Sequence, residues 1–207
     1  MSYSISVIGC GRHARVLLDI IGLLGLKVNF LYDDNFGVDK PLYLIDKFVS
    51  PINFEISENA IIAIGDNFSR KEVSAKVNKK IWDTIIHPTS IISNDIVIGE
   101  GTVIMAGAII QTGTRIGKHC IINTGACIDH DCEIGSFAHI SPNVSIAGGV
   151  CIGEGTHIGI GACVIPGITI GKWVKIGAGA VVIRDIPDFS VSVGNPARII
   201  KYNKIDE

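Results

Sequence analysis

The sequence predicts an α/β N-terminal unit, a Rossmann-like βαβ domain, followed by a parallel β-helix. Three observations predict this. From Ile86 to Val182, every sixth residue is Ile or Val. Glycine follows that aliphatic position once per 18 residues, at Gly99, Gly117, Gly135, Gly153 and Gly171. Ahead of the repeat, an apolar run ending at Ile8 leads into Gly9-Cys10-Gly11-Arg12-His13-Ala14 and an apolar-periodic stretch.

The repeat is the strongest of the three. It holds its phase over 17 positions. With about 30% of the stretch being Ile or Val, chance gives such a run with odds on the order of 10⁻⁹. Two residues before the aliphatic position stands a small or β-branched residue: Thr102, Ala108, Thr114, Cys120, Ala126, Cys132, Ala138. Three strands of six residues, each ending in a turn, close a triangular coil of 18. The aliphatic side chain points inward and stacks on its copy one coil away. At a strand spacing of about 4.8 Å, residues 86–182 make a little over five coils, or roughly 25 Å of prism. An ordinary sandwich does not keep a six-residue phase for this long, and no insertion interrupts it.

The N-terminal unit reads as follows. Ile5-Ser6-Val7-Ile8 is a buried strand, and a helix follows the glycine-rich turn to about Leu24. Val28 to Tyr32 is a second strand ending in Asp33-Asp34, and Ala60 to Gly65 is a third. Ser69-Arg70-Lys71-Glu72 has the pattern of a capping box opening a short helix with Val73 and Val77 on one face. The division expected is 1–83 for this unit and 84–207 for the helix with its tail. Gly9-x-Gly11-x-x-Ala14 between strand and helix is the dinucleotide pattern, in which backbone N–H groups at a helix start hold a pyrophosphate. Roughly 80 residues supply half of a two-mononucleotide fold, and no substrate domain for hydride transfer follows. A nucleotide-diphosphate ligand therefore fits better than a redox NAD site, with an unliganded glycine turn as the plain alternative.

Composition excludes several classes. The 207 residues carry a formal net charge of −2 and no basic stripe, which argues against nucleic acid. Mean hydropathy is high at +0.43, yet no uncharged apolar stretch reaches the roughly 18–20 residues of a membrane span. Met1-Ser2-Tyr3-Ser4 has no basic start of a signal peptide. The six cysteines, Cys10, Cys120, Cys127, Cys132, Cys151 and Cys163, form no C-x-x-C pair. They read as reduced thiols of a cytoplasmic protein, mostly small core fillers.

Asn123 through Gly135 includes Asp129-His130-Asp131. Together with Ser141-Pro142 to Gly149, Gly194 to Arg198, the glycine turn and Asp33-Asp34, it resembles the PglD/NeuD-like sugar acetyltransferases of the hexapeptide-repeat acyltransferase superfamily. The resemblance covers nearly the whole chain. It implies a left-handed β-helix and a homotrimer. It implies His130 as general base and Asp131 as the residue that raises its basicity, with Asn123 nearby. Acetyl-CoA is implied as co-substrate, against His139 near the thioester, the Gly148 amide, and the backbone of Ile160 and Ala178. Gly11, Arg12 and His13 correspond to the phosphate loop. Asp33, Asp34 and Gly65 correspond to the base and ribose pocket. Relatives commonly have Gly-His-Gly where this chain has Arg12-His13-Ala14, so Arg12 puts the phosphate geometry in question.

The chemistry agrees with the resemblance. An amine attacking a thioester must lose a proton, and neutral imidazole titrates in the right range. A neighbouring carboxylate orients the ring and stabilises imidazolium, while the thioester oxygen needs an N–H donor. The plain alternatives are a solvated turn residue for His130 and a stack with His157 for His139. Asp129 reads as an exposed turn residue, and His87 and His119 as structural. The resemblance implies N-acetylation of the 4-amino group of a UDP- or dTDP-linked 4-amino-dideoxy sugar, in bacterial surface glycan biosynthesis such as O-antigen or lipopolysaccharide. The competing readings are a sialic-acid-type O-acetyltransferase and a non-catalytic trimeric scaffold. A zinc enzyme on the same helix is disfavoured, because no two histidines stand about five residues apart. The expected ligands are thus acetyl-CoA and a nucleotide-linked amino sugar, with no metal, nucleic acid or membrane insertion.

Overall fold

In a computed structural model, residues 4–34, 49–50, 59–78 and 82–203 are described. The chain opens with a small parallel sheet in the order β3-β2-β1-β4. Its strands are β1 (Ser4–Ile8), β2 (Lys27–Tyr32), β3 (Val49–Ser50) and β4 (Ala60–Ile62). The helix α1 (Arg12–Leu23) links β1 to β2 and buries Ala14, Leu17, Ile20 and Ile21, one face at helical spacing. The third predicted strand is shorter than read: it ends at Ile62, and Gly65 belongs to the loop leading into α2 (Asn67–Lys76).

The capping box is corrected. The cap of α2 is Asp66, whose carboxylate accepts from the Ser69 amide at 2.9 Å. Ser69 is the third residue inside the helix and donates to Asp66 rather than capping. Either residue satisfies the pattern of a short polar side chain facing an N–H three residues on. The apolar period was too weak in this helix to choose between them.

Seventeen two-residue strands follow, from β5 (Ile85–Ile86) to β21 (Val181–Val182), in parallel register 18 residues apart. They form three faces. The first contains the strands at Ile85, Val103, Ile121, His139, His157 and Lys175, and is extended by the hairpin β22 (Ser190–Val193) and β23 (Arg198–Tyr202). The chain then visits the second face, for example Cys127–Ile128, and the third, for example Glu133–Ile134. The inward column is one continuous apolar cluster that includes Ile104, Ile122, Ile140 and Ile158. The small positions two residues earlier, among them Ala108, Cys120 and Ala138, are fully buried beside it. The cysteines divide more evenly than expected. Cys10, Cys120 and Cys132 are buried, while Cys151 and Cys163 are exposed, because they occupy the outward position of their strands.

Each turn is closed by a residue with positive φ, at every sixth position from Gly101 to Gly179. Most are glycine. Five are not: His119, Asp131, Phe137, Asn143 and Trp173. A side chain in this left-handed region costs roughly 1–2 kcal/mol relative to glycine, so each must return something in contacts.

Three of the five dock the N-terminal unit. His119 and Phe137 stack with ring centroids 5.2 Å apart, and Trp82 meets His119 edge-on. Arg70 of α2, only 1% exposed, donates to the carbonyls of His119 and Phe137 at 2.8 and 2.9 Å. It also donates to the Ile64 and Gly65 carbonyls and to Asn67. All five guanidinium N–H groups are therefore used. Asn67 reaches the Gly155 carbonyl, and Lys71 pairs with Glu154 while lying over the Trp173 ring. On the same face, outward Ile85, Val103 and Ile121 join Leu17, Ile20 and Ile21 of α1 in one apolar cluster. The first face is thus the docking face, and the two units share a core.

Candidate functional site

His130 sits on the turn between a second-face and a third-face strand. Its Nδ1 lies 2.8 Å from Asp131 Oδ2, with both side chains more than half exposed. Asp131 is one of the left-handed turn residues, with φ 57°. Its carboxylate lies over Gly113 of the coil below, where a methyl group would collide with Oδ1. The His130 ring lies against Gly148 of the coil above, where a methyl group would come 2.6 Å from both Cε1 and Nε2. The pair is thus fitted between two glycines, one coil away on either side.

The backbone under the pair is braced from inside. Buried Thr114 donates to the Asp129 carbonyl at 2.8 Å and accepts from the Cys132 amide. The His130 carbonyl accepts from the Gly149 amide at 2.9 Å. The imidazole pKa is raised, first by the hydrogen bond to Asp131 and then by the charge of Asp129. With Asp131 accepting at Nδ1, the Nδ1–H tautomer is held and Nε2 keeps its lone pair. Such a group takes a proton from a nucleophile and is stabilised once it has it.

A second cluster lies in the N-terminal unit. A cavity of about 570 Å³ is lined by Gly11, Arg12, His13, Asp33, Asp34 and Gly65. Six sequence-predicted residues therefore converge on one space. The two glycines differ in their reason. Gly9 has φ 98°, and a methyl group there would strike the Ile64 side chain at 2.8 Å, so the turn needs glycine to pass the segment that follows β4. Gly11, which caps α1, faces open space. That bare backbone at a helix start suits close approach by a phosphate. Asp33 also braces the turn, accepting from the Cys10 amide at 2.6 Å. His13 is pushed down to about 4 by burial, and its Nε2 has no hydrogen-bond partner among the described residues.

The remaining predicted residues lie elsewhere. Asn123 follows a docking-face strand, and its amide bonds His139 Nε2 at 3.0 Å rather than His130. The His139 ring stacks on His157 with centroids 4.7 Å apart. Burial pushes His139 down to about 3, with His157 and Arg70 acting the same way and a hydrogen bond to the Gly65 backbone opposing. Ile160, 58% exposed, and exposed Ala178 stand one coil apart on the edge between first and second faces. His130 and Gly148 stand on the edge between second and third faces, opposite the docking face. One chain therefore presents two separate clusters: His130, Asp131 and Gly148 on one edge, and the N-terminal cavity, with Asn123 and His139, on the far side.

Sequence reasoning missed Arg70, Asn67, Asp66 and Trp173. The signal for Trp173 was available, since it replaces glycine at a turn position.

Comparison with known proteins agrees with this architecture. Residues 4–77 match the PglD N-terminal domain and residues 95–130 match the bacterial transferase hexapeptide (six repeats). The UDP-N-acetylbacillosamine N-acetyltransferase of Bacillus subtilis (strain 168) is 41% identical over 117 residues; that match spans 50% of this chain and 51% of that protein. PerB from Caulobacter crescentus, solved with CoA and GDP-perosamine, is 36% identical with a TM-score of 0.84, over 96% of this chain and 97% of that one. The acetyltransferase domain of PglB from Neisseria gonorrhoeae FA1090, solved with acetyl coenzyme A, is 32% identical with a TM-score of 0.85, over 97% and 100%. With a Rossmann-like unit docked on a left-handed parallel β-helix, this chain belongs to the PglD/NeuD-like family of hexapeptide-repeat sugar acetyltransferases.

Proposed function

We propose that the chain transfers an acetyl group from acetyl-CoA to the 4-amino group of a nucleotide-linked 4-amino-dideoxy sugar. The observation that carries this is the His130–Asp131 pair, seated on side-chain-free Gly148 in a chain whose other unit holds a nucleotide-type cavity. His130 Nε2 takes a proton from the amine as its nitrogen bonds to the thioester carbon. The Gly148 amide steadies the oxyanion, and the C–S bond then breaks to release CoA, which regains a proton from His130. Asp131 holds the ring tautomer and stabilises the imidazolium. His139, Ile160 and Ala178 line the acetyl-CoA path, and Gly11, Arg12, His13, Asp33, Asp34 and Gly65 hold the nucleotide.

Because the two half-sites lie on opposite sides of one prism, the working site is built between copies in a homotrimer: His130 of one copy meets the acceptor held by the next. The expected setting is cytoplasmic surface-glycan synthesis, including O-antigen or lipopolysaccharide, with UDP or dTDP as nucleotide. Among the described residues, no helix is long and apolar enough to cross a membrane. The test is thiol release from acetyl-CoA with a panel of UDP-, dTDP- and GDP-linked 4-amino sugars. At least one should turn over, and His130→Ala should abolish that turnover. Silence across the panel, or full activity in His130→Ala, defeats the proposal. Turnover of the hydroxyl analogue instead would make the chain an O-acetyltransferase.

A further inference from the structure

The outward column of the second face is Ile91, Ile109, Cys127, Ser145, Cys163 and Val181. The column just past the strands of that face is Ser93, Gln111, Asp129, Ala147, Ile165 and Ile183. Asp129 is the one charged side chain among them, and it immediately precedes His130. It is half-buried rather than the exposed turn residue that the sequence suggests. A carboxylate on the margin of an otherwise uncharged face, next to the base, calls for a physical reason.

The Asp129 backbone is tied to both adjoining coils. Its N–H donates to the Ile146 carbonyl at 2.9 Å, and its carbonyl accepts from Thr114 Oγ1 at 2.8 Å. Its side chain turns along the chain, with Oδ1 accepting the His130 amide at 2.8 Å. One carboxylate thus holds the backbone of His130 while the next, Asp131, holds Nδ1. Asp131 favours the protonated ring through its hydrogen bond, and Asp129 favours it through charge. Among the described residues, the other groups beside the ring carry no charge. The coil above offers Gly148 and Gly149, and the coil below offers Gly113. Cys132, whose Sγ lies 3.6 Å from the His130 carbonyl, is kept a neutral thiol by burial. Asp95 stands a further coil down, bonded to Thr112 and the Gly113 amide.

Resting on the function proposed above, we infer that Asp129 is a second positioning residue for the base: its carboxylate fixes the turn at the His130 amide and sets a negative charge beside the ring while leaving both ring nitrogens free of it. Asp131 then selects the tautomer, and Asp129 holds the backbone that lays the ring against Gly148. When an amine gives its proton to Nε2, the new positive charge forms between two carboxylates. A purely local role, in which Asp129 only closes a turn, makes a different forecast, because asparagine closes such a turn equally well.

The test follows the His130 Cε1–H signal by NMR through a pH titration of the full chain, with His130→Asn to assign it. Asp129→Asn keeps an oxygen for the His130 amide. It should move the titration to lower pH, by less than Asp131→Asn does. Raising salt from about 0.05 M to about 1 M should shrink the Asp129 difference more than the Asp131 difference, because a charge acting through solvent is screened. Asp129→Ala, which loses the acceptor as well, should lower kcat on the order of tenfold relative to Asp129→Asn. Should Asp129→Ala not fold, the titration of Asp129→Asn decides alone. An Asp129→Asn titration equal to wild type, or an Asp129→Ala enzyme as active as Asp129→Asn, defeats the inference and leaves the His130–Asp131 pair standing. The titration needs no substrate. If it runs as expected while the wild type turns over no amino sugar, the proposed function falls, and the role of Asp129 in catalysis falls with it.

Discussion

At the scale of single residues, the charge state of His130 is the quantity to test. Its pKa is raised, so on the acid side a larger share of imidazole is protonated and unable to act as base. Asp131→Asn removes the largest cause, the carboxylate's hydrogen bond to the ring. The acid limb of kcat/KM should then move to lower pH, toward the limb of an unassisted imidazole, while the plateau falls by on the order of 10²-fold or more. An unmoved limb would deny that Asp131 acts through this ring. Gly148→Ala is a sharper probe, because the atoms nearest to the added methyl all belong to the His130 ring. It should lower kcat strongly while leaving the circular dichroism and melting point close to wild type. The adjacency of His130 and Asp131 was legible in the sequence. Their seating between Gly113 and Gly148 was also latent there, since residues 18 apart share an edge. By the same arithmetic His139 lies half a coil away, and its tie to Asn123 needs three dimensions to see.

At the scale of elements, docking rests on α2. Arg70 is satisfied almost wholly by backbone carbonyls, 5, 6, 49 and 67 residues away. Carbonyls carry no sequence signature, which is why a short polar helix gave no hint of its importance. Removing this cation leaves several buried acceptors without donors, so Arg70→Met should cost about 3 kcal/mol or more in chemical unfolding. Where the variant still folds, KM for the nucleotide sugar should rise while CoA affinity stays level, because the Gly65 segment loses its anchor and the far edge does not. An equal rise in both would assign Arg70 to general stability. The β-helix itself was legible to the residue, since its inward positions can hold little but Ile and Val. The cap of α2 was not, because Asp66 and Ser69 satisfy the same local rule.

At the scale of the whole molecule, buried neutral histidines set the acid tolerance. His13 and His119 are lowered to about 4 and His139 to about 3, against an ordinary 6.5. Below pH 6.5 the unfolded chain takes up these protons and the folded chain does not. Stability from these groups is thus full above pH 6.5 and declines as pH falls toward 4. The melting temperature should drop through this window, and His119→Asn, a residue at ease with positive φ, should flatten the slope. The proposed trimer has its own test. Mixed trimers of His130→Ala and Asp33→Ala copies should regain activity that neither parent shows, since an intact edge can meet an intact cavity. Mixtures as inactive as their parents would place the site within one chain.

The coil of 18 residues also acts as a ruler. His130, Gly148 and the docking-face ladder rise by the same step, so the height of His130 relative to the N-terminal cavity can change only in increments of about 4.8 Å. Gradual adjustment along the prism axis is closed to this architecture. Inserting 18 residues between Gly113 and Asp131 should therefore part that pair by a whole coil, whereas exchanging a turn residue for glycine changes the edge without moving any height.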